Sequence, residues 1–149
     1  MGTRADFYVG RGPAAEWVGS VAYDGDPDNY PAIMALTTEE TYRAAVLKEL
    51  SSRDDATLPA QGWPWPWEDS STSDYAIAFD AGGVFYSACQ RGTADDVWVK
   101  LDTPQDDDGY PIGADLMPCV FPNMLDRQNV TLGPRSGVML CTGLKKGTP

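Results

Sequence analysis

Between Gln61 and Ser70 the chain reads Gly62-Trp63-Pro64-Trp65-Pro66-Trp67-Glu68-Asp69, which sets two carboxyls beside three indoles. Apolar neighbours raise a carboxyl pKa, and two carboxyls in unlike surroundings can divide acid and base work. Glu68 and Asp69 are therefore the best candidates for acid–base chemistry, although adjacent acids on a loop are more commonly plain surface charges. Trp63, Trp65 and Trp67 suggest binding instead. A proline-stiffened loop loses little entropy on association, and tryptophan is enriched at binding hot spots. The plainer alternative is a rigid crossover whose rings cover a sheet. Three successive alternating indoles do not easily all face inward, so one is expected to project. Glu68, Asp69 and the nearby Asp74 would then favour a cationic partner.

Other acids offer oxygen ligands. Asp106-Asp107-Asp108-Gly109 and Asp115 invite a calcium reading. Aligning Gly109 with the glycine of an EF-hand loop, however, puts Pro104 at the first ligand position and Asp115 where a longer Glu is usual. That motif is excluded. Asp24, Asp26 and Asp28 alternate and could meet a hard cation, but Asp is equally at home in a solvated turn. The chain has no histidine, which removes Ser-His-Asp and Cys-His units and imidazole metal sites. Cys89, Cys119 and Cys141 lack CxxC spacing and activating neighbours, and read as free thiols. Gly10-Arg11-Gly12 does not have the spacing of a phosphate loop. The residues assign no catalytic group, no metal and no cofactor.

The elements that must position these groups follow from periodicity. Phe7 and Val9, then Trp17, Val18, Val21 and Tyr23, flank the turn Gly10-Arg11-Gly12-Pro13 and predict a β-hairpin. Asp24 to Asn29 breaks regularity, and Tyr30, Ile33, Met34 and Leu36 fit a short helix starting at Pro31. Thr37 with Glu40 reads as a capping box, with Glu39 adding charge near the positive helix end. Tyr42, Ala45, Val46 and Leu50 then follow helical spacing, interrupted only by Glu49. Pro59 to Pro66 predicts a stiff extended loop.

Tyr75, Ile77 and Phe79 alternate as in a strand, and Ala81-Gly82-Gly83 turns the chain back through Val84 to Cys89. Val97, Val99 and Leu101 around Trp98 suggest another strand, Phe121 to Met124 a single helical turn, and Val138 to Cys141 a last strand. Together these predict an α+β fold, a mainly antiparallel sheet packed against one principal helix, in a single globular domain over 1–149. Tyr42, Val46 and Leu50 are expected to meet Ile77, Phe79, Val97 and Val99.

The 149 residues, 42% of them hydrophobic, with five tryptophans, suffice for a core. The net charge is -11, and it is uneven. Residues 61–115 hold 11 acids against 2 bases, whereas residues 116–149 hold 1 acid and 4 bases. Such asymmetry can steer partners, while a direct grip on nucleic-acid phosphates would need clustered Lys and Arg. No apolar run approaches the roughly 20 residues of a membrane span. Met1 to Asp6 lacks the apolar stretch of a signal peptide, and Asp6 stands where a myristoylation motif wants Ser or Thr. A cytoplasmic protein without membrane contact is expected.

Four segments are similar to a group of uncharacterised small proteins encoded by bacteriophages and prophages of proteobacteria. They are Met1-Gly2-Thr3-Arg4-Ala5-Asp6-Phe7-Tyr8-Val9, Trp17 to Asp24, the block Gly62 to Asp69, and Asp74-Tyr75-Ala76-Ile77-Ala78-Phe79-Asp80. The resemblance fades near Gln90, and this chain has Asp24-Gly25-Asp26-Pro27 where relatives carry a DGYP-like turn. It implies a genomic setting in a bacterial host, and no reaction or catalytic residue. In that setting a small acidic accessory protein is expected to bind a host protein with a basic surface. It would act as an acidic inhibitor of a defence or nucleic-acid-binding factor, through Trp63, Trp65, Trp67, Glu68, Asp69, Asp74, Asp106, Asp107 and Asp108. A small carboxylate-based enzyme and a virion or assembly component are the alternatives.

Overall fold

The computed structural model describes residues 2–12, 14–66, 70, 73–88, 95–104, 106–108, 112 and 115–118. The first hairpin forms as its alternation predicts. Strands β1 (Ala5–Val9) and β2 (Glu16–Val21) run antiparallel, and Gly10 and Gly12 in the turn both take positive φ. A single 3-10 turn at Pro27–Asn29 follows, capped by Asp26, whose carboxylate accepts the Asp28 N–H at 2.9 Å. Helix α1 is the single turn Pro31–Met34, and α2 spans Glu39–Ser51.

The cap of α2 is Thr38 and not Thr37. Its hydroxyl accepts the Thr41 N–H at 3.2 Å, so the hydroxyl-to-amide bond of an N-cap forms one residue later than the Thr37–Glu40 spacing implies. The stripe on α2 behaves as read, with Tyr42, Val46 and Leu50 buried. The stretch from Pro59 is not extended throughout. Pro59–Gln61 closes a 3-10 turn, because proline suits a first helical position and the Gln61 side chain accepts the Leu58 N–H at 2.8 Å.

The remaining strands are β3 (Ala56–Thr57), β4 (Tyr75–Asp80), β5 (Gly83–Ala88), β6 (Asp95–Trp98) and β7 (Asp115–Pro118). The first five form one sheet in the order β3-β2-β1-β4-β5, and β6 and β7 pair separately. All pairings are antiparallel except β1 with β4, so the sheet is mixed but mostly antiparallel, and the fold is α+β with one principal helix. Val99 continues β6 and exchanges backbone hydrogen bonds with Tyr86 of β5 at 2.8 and 3.0 Å. The readings at Cys89, Phe121 to Met124 and Val138 to Cys141 lie outside the described residues.

Both faces of the five-stranded sheet are covered. Ala5, Phe7, Val21, Ile77, Phe79 and Val84 point to the helices and pack with Ile33, Met34, Tyr42, Val46 and Leu50. Tyr8, Trp17, Ala76 and Ala78 point the other way and pack with Trp63, Trp65 and Trp98. Val97 departs from the expected core: it is 42% exposed, while its neighbour Trp98 is fully buried in the tryptophan layer. Side chains alternate along a strand, and the far larger indole gains more from burial than the valine.

A bulge in β2 decides what faces the tryptophan layer. Phe7 pairs with Gly19 and Tyr8 with Trp17, which leaves Val18 as an extra residue. Trp17 and Ser20, an odd number of positions apart, are thereby brought to one face. Gly19 sits at φ +150 where an added Cβ would lie 2.2 Å from Leu50 Cδ1, so α2 closes directly onto the bulge.

Two stability measurements check this architecture. Leu50→Ala and Phe79→Ala should each cost about 2–5 kcal/mol by chemical denaturation, and losses under about 0.5 kcal/mol for both would contradict the helix-side core. In the β4–β5 turn Ala81 has φ +51, next to Gly82 at +79. Ala81→Gly should therefore raise stability by about 1 kcal/mol, seen as a higher denaturation midpoint at unchanged slope.

Candidate functional site

The two described tryptophans of the proline-rich block serve the core. Trp63 and Trp65 are 6% and 8% exposed. Trp63 packs edge-to-face on Trp17 with ring centroids 4.9 Å apart, and the Arg4 guanidinium lies 4.5 Å over the Trp65 ring. They offer no open ring face to a partner, which corrects the binding role expected of them. Burying two large rings against the sheet outweighs any cost of the proline-constrained path. Trp67, Glu68 and Asp69 lie outside the described residues.

Trp65 points to a residue that its loop did not advertise. Its indole N–H donates to Asp6 Oδ1 at 2.9 Å. Asp6 is fully buried on β1, with the Ser20 hydroxyl donating to Oδ1 at 2.6 Å and the Ser73 hydroxyl to Oδ2 at 2.7 Å. The Trp17 indole donates in turn to Ser20 Oγ at 2.9 Å, and Ser70 Oγ lies 2.5 Å from the Tyr8 hydroxyl. Burial pushes the Asp6 carboxyl above the ordinary carboxylate range, against the pull of hydrogen bonds from Ser20, Ser70, Ser73 and Trp65. One feature of the sequence does flag it: an Asp interrupts the apolar run Ala5, Phe7, Tyr8, Val9, and Asp is depleted in strands.

The surface carries a different electrostatic pattern. Each described arginine is engaged inside the molecule. Arg4 covers Trp65; Arg11 binds Asp80 at 3.0 Å and lies 4.0 Å over Phe85. Arg43 joins Glu16 at 2.8 Å and Glu39 at 2.7 Å. Arg53 binds Asp55 and Glu49 and donates to the Tyr23 carbonyl and the Tyr30 hydroxyl, tying the end of α2 to the loop after β2. Asp24, Asp28, Asp54, Asp74, Asp102, Asp106, Asp107 and Asp108 are exposed. Of the predicted site residues, Asp74 stands just before β4, where it accepts the Arg4 backbone N–H at 2.8 Å. Asp106 accepts the Asp108 N–H at 2.9 Å in an exposed turn.

Acid–base chemistry would need a carboxyl with a raised pKa that substrate can reach. A shallow cleft of ≈ 490 Å³ lined by Tyr23, Asp24, Arg53, Asp54 and Asp55 does gather carboxylates. Its Asp55, however, is held below the ordinary carboxylate range by hydrogen bonds from Arg53, which suits a permanent ion more than a proton donor. Asp6 has the raised pKa and is sealed from solvent. Among the described residues no group of three or more Asp, Glu, Cys or His is arranged to hold a metal ion. No helix of the described residues is long and apolar enough to cross a membrane.

The Asp6 network makes a pH-dependent prediction. Because its pKa is higher folded than the ordinary 3.8, the folded state binds more protons than the unfolded state between those values. The network's contribution is then complete at acid pH and declines as pH rises through the shifted value. Asp6→Asn keeps an acceptor for Ser20 and Trp65, and the Ser73 hydroxyl can turn to accept from the amide. It should fold and lose this component of the pH slope, which in wild type sets in as pH rises above the ordinary 3.8. Asp6→Ala strands several buried donors and should cost about 3 kcal/mol or more. Parallel pH profiles for wild type and Asp6→Asn, or an undiminished Asp6→Ala, would contradict it. No protein-family model, no curated protein and no solved structure matches this chain.

Proposed function

We propose that this protein is a phage or prophage accessory protein, resident in the bacterial cytoplasm, that binds a basic surface of a host protein. It acts there as an acidic inhibitor of a defence or nucleic-acid-binding factor. The observation that carries the reading is the segregation of charge. The described arginines are committed to internal partners, while the exposed carboxylates of Asp24, Asp28, Asp54, Asp74, Asp102, Asp106, Asp107 and Asp108 face outward. A negative surface of this kind accelerates encounter with a positive one. The similarity to phage-encoded proteins supplies the setting.

Capture from proteobacterial host lysate on the immobilised protein tests this. At low salt it should retain a basic nucleic-acid-binding protein, which is released at about 0.5 M salt, where the Debye length falls to a few ångströms. Excess duplex DNA should compete it off. Retention of nothing at low salt, or retention indifferent to both salt and DNA, would refute the reading.

A further inference from the structure

Two tyrosines on the helix side of the sheet stand half-buried at its end. Tyr75 on β4 and Tyr86 on β5 are diagonal neighbours across the antiparallel pair, since Ile77 is the residue opposite Tyr86. Their rings meet edge-to-face with centroids 6.0 Å apart, and their inner sides pack against the helix-side core. Neither hydroxyl makes a hydrogen bond among the described residues.

Carboxylates from three separate stretches are close enough to act on this pair. Asp74 is its immediate neighbour. The loop carrying Asp26 and Asp28 is laid against β1, because the Gly25 N–H donates to the Thr3 carbonyl at 2.9 Å and an added Cβ on Gly25 would stand 2.7 Å from that of Ala5. Ala5 is in turn the register partner of Tyr75. Asp102 follows three positions after Val99, the residue that exchanges backbone hydrogen bonds with Tyr86. After burial, the charges of Asp26, Asp28 and Asp74 raise the Tyr75 hydroxyl, and those of Asp28, Asp26 and Asp102 raise that of Tyr86.

The molecule shows on the opposite face of the same strand what such a combination holds. The ring of Phe85, next to Tyr86, lies under the Arg11 guanidinium at 4.0 Å with the Lys100 ammonium farther off at 5.2 Å, and Asp80 accepts from Arg11 Nε at 3.0 Å. The Arg4 guanidinium likewise lies over the Trp65 ring at 4.5 Å. Tyr75 and Tyr86 have the aromatic faces and the carboxylates, and among the described residues no arginine or lysine stacks on either. Guanidinium suits such a place better than ammonium. It is planar, weakly hydrated, and can stack and hydrogen-bond to carboxylate at once.

We infer that Tyr75 and Tyr86, rimmed by Asp26, Asp28, Asp74 and Asp102, form the docking face for an arginine side chain of a partner protein. The inference rests on the proposed binding to a basic host protein and assigns it a place and a preferred residue.

The probe is a pair of short synthetic peptides, one with two arginines separated by glycine and one with lysines at the same positions. Titrated into the intact protein and followed by NMR, the arginine peptide should shift the Tyr75 and Tyr86 ring signals and bind more tightly than the lysine peptide. Tyr75→Phe and Tyr86→Phe keep the rings and should bind as wild type. The double alanine variant, its folding checked by thermal melting, should weaken binding about fivefold or more. Should that variant fail to fold, the ring shifts in wild type and the phenylalanine variants decide alone. Equal binding of both peptides, or shifts confined to the Asp106–Asp108 turn, would overturn the inference. Salt-sensitive host-protein capture that survives the double alanine substitution would overturn this face and leave the charge-based reading intact.

Discussion

A carboxyl group buried in a protein core must be surrounded by hydrogen-bond donors, and at Asp6 this requirement organises one whole face of the sheet. The donors come from distant stretches: Ser20 from β2, Trp65 from the proline-rich block, and Ser70 and Ser73 from the approach to β4. Trp65 enters the core partly because its indole N–H has an acceptor waiting there. Ser20 faces Asp6 together with Trp17 only because β2 carries an extra residue at Val18. The bulge, the orientation of the tryptophan block and the polar centre of that face are therefore one arrangement. Networks of this kind are sensitive to the loss of any member, since each leaves another buried polar group unsatisfied.

The opposite face is organised by apolar packing, and the surface by charge. Each described arginine acts as an internal fastener. Together they lie over Trp65 and Phe85, bridge α2 to β2 through Glu16, and close the end of α2 through Asp55. Tyr30 belongs to the last of these fasteners. Its hydroxyl, pushed up to about 12 by burial against the opposing pull of Arg53, stays protonated and donates to the Asp24 carbonyl. The described arginines serve cohesion, and most of the described aspartates outside the core lie on the solvent side. The buried carboxyl of Asp6 and the exposed ones thus have separate tasks.

Much of this fold was legible from local pattern. The stripe Tyr42, Val46, Leu50 marked α2, the alternation of Tyr75, Ile77 and Phe79 marked β4, and the Ala81-Gly82 turn marked its hairpin partner. Local pattern misled at Thr37, where the neighbouring Thr38 supplies the cap, and at Val97, where the indole of Trp98 competes for the interior. The candidate site was less legible. Asp74 and the Asp106–Asp108 turn are exposed, Trp63 and Trp65 lie in the core, and neither the Asp6 centre nor the tyrosine pair was visible as a unit.

What the sequence alone determined were the helix, the two hairpins and the excess of acid over base, because each is set by residues within a few positions of one another or by composition. Tertiary structure decided which acid is buried, which indoles are covered, and that β1 lies parallel to β4. Each of these depends on contacts across long stretches of chain. Asp6 and Trp65 are 59 positions apart, and Asp6 and Ser73 are 67 apart. No window of sequence contains both partners, so the uneven acidity becomes a buried centre on one side and a tyrosine-marked surface on the other only when the strands pair.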